Sequence, residues 1–332
     1  MDATQLSIKQ RPSRSRQLLL ENGADVAGGN NNAWTPLNSA SYNGHLEIVK
    51  LLLEKGAEVT GANKDGWTLL LRSASNNGHL EIFKLLLESV SDVNSLDGHY
   101  GSILHVFAFK GYTDLLRLAY NKYHANRSLT EYHGRTPLQL ASRGGHFDTF
   151  QYLISLGLDP STRDEKGEGL LHYAASGGSL QILNAVLKNV LVSSLQRGYW
   201  SPIHWACRAG NPNVIERLIN EGLRSECISI SQPEGQWSPI SIAIFHGNEK
   251  MLEELSTSCR SLLDVGLHSV RLRGIRHGSY WCNGCFHDIY GPRFHCRTCP
   301  NFDYCFMCKP FLDHIHKDHE WDYVESHFKP SA

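Results

Sequence analysis

Residues 35–57 read TPLNSASYNGHLEIVKLLLEKGA, and residues 68–90 repeat the pattern as TLLLRSASNNGHLEIFKLLLESV. Further copies of the block follow, and successive copies start 32 to 37 residues apart, which is regular enough to be structural. They begin at Ser102, Thr136, Gly169, Ser201 and Ser238, and the match is weaker in the copies at Ser102, Gly169 and Ser238. A period of this length predicts an array of small units that bury their apolar faces against one another.

Each unit carries the sequence signals of two helices. Thr35 followed by Pro36 is a helix start, because the hydroxyl caps N–H groups of the first turn and proline has no N–H to leave unpaired. Gly44 is placed to end this short helix in a left-handed conformation. Residues 46–53 then place apolar side chains on one wide face of a second helix. The block therefore predicts a pair of packed helices.

The units resemble ankyrin repeats, whose consensus contains T-P-L-H, G-H and L-L-x-x-G-A. The resemblance covers residues 16–255 and implies a mainly α solenoid of seven full repeats, preceded by half a repeat at residues 16–26. Residues 1–15 read as an irregular N-terminus that supplies no convincing first helix. Because terminal repeats need a polar cap, we expect either an irregular cap or additional upstream sequence, and we favour the second.

In ankyrin repeat proteins the residue just before T-P-L points into a concave binding surface. Tryptophan holds this position in four of the repeats, as Trp34, Trp67, Trp200 and Trp237. Because tryptophan is enriched where binding energy is concentrated, the resemblance predicts that these side chains contact a protein partner. The alternative is that each indole packs on the neighbouring turn. The family also uses the last residue of T-P-L-H to join adjacent repeats by hydrogen bonds, and here that position holds His105, His172 and His204.

A second pattern, within residues 282–319, consists of three C-x-x-C pairs followed by an H-x-x-H pair. The eight candidate metal ligands are Cys282, Cys285, Cys296, Cys299, Cys305, Cys308, His316 and His319. Eight ligands complete two tetrahedral zinc sites and leave no position for water or substrate. We therefore expect two structural Zn²⁺ ions that stabilise a small domain.

This region resembles a ZZ-type zinc finger over residues 277–327, most specifically through the run CRTCPNFDYC at residues 296–305. The resemblance implies a small α+β fold, with residues 256–276 as a linker and residues 328–332 as a tail. It also implies that the ligands interleave. One zinc would take Cys282, Cys285, Cys305 and Cys308, and the other Cys296, Cys299, His316 and His319. His314 competes with His316, whose spacing from His319 matches the family better.

ZZ fingers commonly bind the free N-terminus of a peptide through acidic side chains. Of the three matching positions, Asn283, Asn301 and Asp303, only Asp303 is acidic. An ammonium group held by one carboxylate and two amides gains less from charge-assisted hydrogen bonds, which disfavours a basic first residue and leaves a small or neutral one as the open option. The alternative for Asp303 is a structural hydrogen bond inside the zinc loop.

The overall composition excludes several classes of function. Lys and Arg number 32 against 33 Asp and Glu, so bulk binding to nucleic acid or to a membrane surface has no electrostatic basis. No apolar run approaches the roughly 18 residues that a membrane span needs. The first residues do not resemble a signal peptide, and six of the nine cysteines fall in the metal pattern. This usage predicts a reducing compartment, namely the cytoplasm, the nucleus or both.

These observations predict a non-enzymatic adaptor, in which the repeats bind one protein and the finger binds a second peptide or protein. No serine–histidine–acid arrangement, phosphate-binding glycine loop or open zinc position is recognisable. Two alternatives remain open. One is an accessory or substrate-recognition component of a ubiquitin ligase, and the other is the sensor tail of a fungal nucleotide-binding, immune-like receptor.

Overall fold

A computed structural model describes most of the repeats and part of the cysteine-rich region. The described residues are Val26, 35–59, 79–88, 93–94, 101–189, 200–223, 231–232, 235–236, 239–254, 272–273, 276–282, 288–298, 303–305, 308–309, 319–325 and 329–330.

The repeats fold as short helices in pairs. The helices that begin the repeats are α1 (Pro36–Tyr42), α4 (Ile103–Lys110), α6 (Pro137–Gly144), α8 (Leu170–Gly177), α10 (Pro202–Ala209) and α12 (Pro239–Phe245). The second helices are α2 (Leu46–Glu54), α3 (Leu80–Leu87), α5 (Thr113–Lys122), α7 (Phe147–Ser155), α9 (Leu180–Asn189), α11 (Pro212–Asn220) and α13 (Glu249–Glu254). The mainly α architecture predicted from the sequence is confirmed.

The predicted helix starts are visible as caps. The Thr35 hydroxyl accepts a hydrogen bond from the backbone N–H of Asn38 at 3.2 Å. Thr136 forms a complete capping box, because Gln139 returns a side-chain oxygen to the Thr136 backbone N–H at 2.8 Å. Such caps fix where each helix begins and satisfy donors that would otherwise be unpaired.

The contacts divide the chain into two compact units. The first contains Met1–Phe107 and Asp114–Asn126, and the second contains Ala108–Thr113 and Arg127–Ala332. In the first unit, Phe83 meets Phe107 edge to face with ring centres 4.7 Å apart. In the second unit, α6, α8, α10 and α12 pack in sequence, each beside the next. This unit contains both repeats and the cysteine-rich strands.

Histidines at the fourth position of the repeats bind the start of their own helices. The Gly169 N–H donates to Nδ1 of His172 at 3.2 Å, and the His172 ring also bonds the backbone of Trp200 in the next repeat. Nδ1 of His204 lies 2.7 Å from the Ser201 hydroxyl. His172 thus joins neighbouring repeats in the way that the resemblance implies.

The histidine of the G-H motif packs on the glycine of the preceding repeat. Gly111 has a φ of 76°, and a Cβ at this position would lie 2.5 Å from the ring of His146. Glycine is therefore required at position 111 for two reasons: the left-handed backbone conformation and the close contact with the His146 ring.

The cysteine-rich region is built from short antiparallel strands. They are β3 (Leu272–Arg273), β4 (Arg276–Trp281), β5 (Asp288–Tyr290), β6 (Arg293–Cys296), β7 (Asp303–Cys305), β8 (Trp321–Val324) and β9 (Lys329–Pro330), and a separate pair, β1 (Ser231–Gln232) and β2 (Gly235–Gln236), precedes them. Strand β6 is central in a sheet of order β7-β6-β8, and β4 pairs with β5. We call residues 276–325 the finger.

Candidate metal centre

Three cysteines of the finger come together in what we call the first centre. Cys282 follows β4, Cys305 ends β7 and Cys308 lies in the turn after it. Their sulfur atoms lie within 4.8 Å of one another, and all three side chains are buried. The backbone N–H of Cys305 also donates to the Cys282 sulfur at 3.3 Å. This arrangement can hold a metal ion through thiolates.

The donor set fits zinc. Clustered, buried thiolates are typical ligands of tetrahedral structural Zn²⁺, and N–H groups directed at sulfur stabilise the charge on such ligands. The predicted fourth ligand, Cys285, lies outside the described residues. When bound, the ion would supply a cross-link between β4 and β7, which a domain this small needs for stability.

A second pair of candidate ligands meets on the other side of β6. Nδ1 of His319 lies 3.4 Å from the Cys296 sulfur, where β6 pairs with β8. Among the described residues, the group of sulfur atoms in the first centre includes neither Cys296 nor His319. Cys299, His314 and His316 lie outside the described residues.

Asp303 lies inside the finger. Its carboxylate accepts a hydrogen bond from Arg293 at 2.8 Å and lies 3.1 Å from Nδ1 of His295. Only 3% of Asp303 is exposed. The Asp303 carboxylate is therefore held in an ion pair inside the finger and is not presented to solvent.

The finger packs against the inner turns and helix ends of the repeats. The Tyr304 hydroxyl lies 3.1 Å from Nε2 of His133, in the turn before the fourth repeat. Tyr290 meets His246, just after α12, edge to face at 5.0 Å. These contacts span the fourth to the seventh repeat, so the finger covers a surface that ankyrin arrays commonly offer to partners.

Two cations of the repeats approach the first centre. The Lys166 ammonium, in the turn before the fifth repeat, lies 3.3 Å from the Cys308 sulfur. A guanidinium nitrogen of Arg208, near the end of α10, lies 3.8 Å from the Cys305 sulfur. Both side chains are buried. Neither residue belongs to a recognisable motif, and no local pattern in the sequence indicates their role.

The residues that directly precede the fourth and fifth repeats, Arg135 and Glu168, are also buried. Arg135 forms a two-pronged ion pair with Glu131, with N–O distances of 2.7 and 3.1 Å. Burial alone would lower the pKa of Arg135, but the Glu131 carboxylate outweighs it and holds the pKa above its ordinary value. Burial, reinforced by the Asp164 carboxylate, raises the pKa of Glu168 to about 8. The Glu168 carboxyl accepts a hydrogen bond from the Trp205 indole at 3.0 Å.

Trp200 packs within the molecule. Its exposed fraction is 4%, its ring centre lies 5.1 Å from that of Trp205, and the Arg208 guanidinium sits 5.9 Å from the Trp200 ring centre. Trp200 is therefore buried against the first helix of its own repeat. Trp34, Trp67 and Trp237 lie outside the described residues.

A cavity of about 520 Å³ opens where the helix ends of the repeats meet the finger. Its lining includes Lys110, Arg143, His146 and Arg208 from the repeats and Tyr290 from the finger. Three of these are permanent cations, and no acidic side chain occurs among the described residues that line it. Burial lowers the pKa of His146, and the charge of Lys110 acts in the same direction.

Comparison with known families identifies both modules. An ankyrin repeat family model of three copies matches residues 7–97, 70–164 and 171–263, and a second ankyrin repeat model of many copies matches residues 145–187. A ZZ-type zinc finger model matches residues 276–321. Repeats and fingers of these kinds typically serve as interaction modules, and the finger implies zinc binding.

Individual relatives share only parts of the chain. It is 33% identical to mouse protein fem-1 homolog A-like over 107 residues, which cover 32% of this chain and 16% of that protein. It is 31% identical to mouse NF-kappa-B inhibitor delta over 119 residues, covering 34% of this chain and 36% of the relative. Over 44 residues it is 46% identical to the autophagy receptor Nbr1 of Schizosaccharomyces pombe, covering 13% of this chain and 10% of that protein.

These matches span at most about a third of each relative's length, 36% for the second. Within the described ranges, every helix is too short or too polar to cross a membrane. The family models carry the assignment, because they follow both the helix pairs and the cysteine-rich strands. The chain belongs to the ankyrin repeat family and carries a ZZ-type zinc finger over residues 276–321.

Proposed function

We propose that this chain is a non-enzymatic adaptor whose repeats and finger bind protein partners through one shared surface. The observation that carries the proposal is the cavity of about 520 Å³, lined by five successive repeats and by Tyr290 of the finger. A pocket of this size accommodates a few side chains of a bound segment.

The charge of the cavity selects its ligand. Lys110 is exposed and Arg143 is half-buried, so the positive charges of both side chains are open to a ligand of the cavity. Cations in a partly desolvated site attract carboxylates and form charge-assisted hydrogen bonds with them. The proposed partner therefore presents an acidic segment to this cavity.

The proposal is tested with a fluorescein-labelled decapeptide of glutamates, bound to the zinc-loaded full chain and followed by anisotropy. We expect it to bind more tightly than the same peptide with glutamines, and salt should weaken the binding. Lys110→Met and Arg143→Met should each weaken the affinity about 10-fold, which is about 1.4 kcal/mol.

Matched controls are Lys188→Met and Arg217→Met, because both residues lie on second helices outside the cavity. They should leave the affinity unchanged. Equal affinities for the glutamate and glutamine peptides, or equal effects of the cavity and control variants, would contradict the assignment of the cavity.

Within this adaptor we assign two structural Zn²⁺ ions, one to Cys282, Cys285, Cys305 and Cys308 and the other to Cys296, Cys299, His316 and His319. The assignment is supported by the first centre and by the approach of Cys296 to His319. Trp34, Trp67 and Trp237 remain candidate partner contacts. Reduced thiolates are consistent with work in the cytoplasm or nucleus. Metal analysis of the purified chain should find two zinc ions per molecule.

A further inference from the structure

We infer that the repeats complete the zinc centre of the finger, with Lys166 and Arg208 as the cations that neutralise its thiolates. The affinity of the first centre for metal is then set partly by two residues of the array, which lie 142 and 97 residues from the cysteines that they contact. This inference does not depend on the ligand of the cavity.

Burial makes the two contacts significant. Lys166 is 8% exposed and Arg208 is 4% exposed. A buried cation is costly unless an anion faces it, since its hydration is lost. Metal-bound cysteines provide such anions, because a thiol that coordinates zinc is deprotonated. The sulfur atoms of Cys308 and Cys305 are placed to receive these charges.

The charges of the centre and of the two cations match. A Zn²⁺ ion held by four thiolates, as the predicted ligand set provides, has two negative charges in excess. Lys166 and Arg208 together supply two positive charges. Carboxyl groups also lie near Lys166, and Asp164 accepts a hydrogen bond from its backbone N–H at 2.9 Å. The Lys166 ammonium itself, however, points to the Cys308 sulfur.

The position of Arg208 is fixed by the array. Its guanidinium lies 5.4 Å from the ring centre of Trp205, in addition to its contact with Trp200. A cation packed against two indole rings has little side-chain freedom left to lose on contact with Cys305. We therefore assign Arg208 as a positioning residue for the first centre.

Both contacts are to the first centre, so the second centre provides an internal reference. Cys296 and His319 lie beside β8, and the predicted second ligand set includes histidines as well as cysteines. Co²⁺ bound by four sulfurs absorbs differently from Co²⁺ bound by sulfur and nitrogen. The two centres of one molecule are thus distinguishable by spectroscopy.

The test measures metal affinity in the full chain by competition with a chelator, using Zn²⁺ and Co²⁺. We expect Lys166→Met and Arg208→Met each to weaken the four-sulfur centre about 10- to 100-fold, the usual effect of losing an outer partner of a ligand. The second centre should keep its affinity. Lys188→Met and Lys84→Met, which remove exposed cations of second helices in the repeats, should change neither centre.

The conservative variants Lys166→Arg and Arg208→Lys keep the charge and should recover most of the affinity. Circular dichroism of the helices identifies any variant that has lost its fold. Lys166→Gln then takes the place of that variant in the comparison, because residue 166 lies in a turn and glutamine is tolerated there. A folded, uncharged variant at position 166 with wild-type affinity at the four-sulfur centre would overturn the inference. Equal weakening of both centres would also overturn it.

Discussion

The hydroxyl of Tyr304 lies 3.1 Å from Nε2 of His133, although 171 residues separate the two in sequence. Tyr304 comes from the central part of the finger and His133 from a turn of the array, and both side chains are buried. This hydrogen bond places the finger on the turns of the repeats. The finger thus covers, within the same chain, the surface through which ankyrin repeat proteins usually bind partner proteins.

Replacing Tyr304 with phenylalanine tests this contact with little change of shape. We expect Tyr304→Phe to lower the free energy of unfolding by about 1 kcal/mol, because a buried hydrogen bond between finger and repeats is lost. Urea denaturation of the zinc-loaded chain measures the effect. Tyr323→Phe is the matched control, since this finger residue is 57% exposed, and it should change the stability by much less. Equal losses in the two variants would argue against the contact.

Removal of zinc should weaken the repeats that the finger contacts. A ligand present at 100 times its dissociation constant stabilises the bound state by about 2.7 kcal/mol, and a chelator removes that contribution. We expect the amides of α6, α8 and α10 to exchange hydrogen faster after chelation. Those of α2, in the other compact unit, should be unaffected. Unchanged exchange in α6, α8 and α10 would mean that the finger unfolds without consequence for the array.

The repeats and the C-x-x-C pairs were predictable because their signals are local. Thr136 caps its helix through Gln139 three residues later, and the C-x-x-C spacing marks Cys305 and Cys308 as a pair, whereas only the resemblance groups this pair with Cys282. Patterns of this kind depend on backbone geometry over a few residues. They therefore do not depend on how distant parts of the chain fold.

The burial of Trp200 and the docking of the finger were not predictable, because both depend on contacts between residues that come together only after folding. Trp200 occupies a position that the repeat leaves exposed, and the sequence therefore predicted a partner contact there. In the structure Trp205 and Arg208 pack on its ring. Lys166 likewise reads as an ordinary turn residue until Cys308 is placed beside it.

The glycine after the first helix of a repeat should be less replaceable than other left-handed glycines, where the next repeat places a histidine against it. Gly111 and Gly157 have φ values of 76° and 81°, but a Cβ would meet the His146 ring at 2.5 Å in the first case and nothing within 4 Å in the second. We expect Gly157→Ala to lower the free energy of unfolding by about 1 kcal/mol, because alanine is strained in the left-handed backbone conformation. Gly111→Ala should cost about 1–3 kcal/mol more, because the side chain overpacks the contact.

Thermal or urea denaturation gives both values, and the double variant Gly111→Ala/His146→Ala separates the two causes. Removing the ring should restore the part of the loss that comes from the clash and leave the part that comes from the backbone. Equal costs at Gly111 and Gly157 would show that the histidine simply moves aside.

Protonation of His172 should make the array less stable in mild acid. Burial lowers the pKa of His172 from 6.5 to about 4, so the folded chain keeps the ring neutral while the unfolded chain takes up a proton. The stability that the neutral His172 ring contributes is fully present above pH 6.5 and is lost as the pH decreases toward 4. Between pH 7 and pH 5 this residue should account for a loss of about 2 kcal/mol.

His172→Gln isolates this contribution, because Gln139 shows that glutamine can make the equivalent bonds. Its side-chain oxygen accepts from the Thr136 N–H at 2.8 Å, and its amide donates to the Thr162 carbonyl at 2.9 Å. Glutamine does not titrate, so urea denaturation of the variant at pH 7 and pH 5 should show a smaller loss than that of the wild-type chain, by about 2 kcal/mol. The remaining histidines and the zinc ligands are common to both proteins and cancel in the difference. If both proteins lose the same stability between these pH values, His172 takes up its proton in the folded array as readily as in the unfolded chain, and the hydrogen bond that its Nδ1 accepts from the Gly169 N–H does not hold the ring neutral.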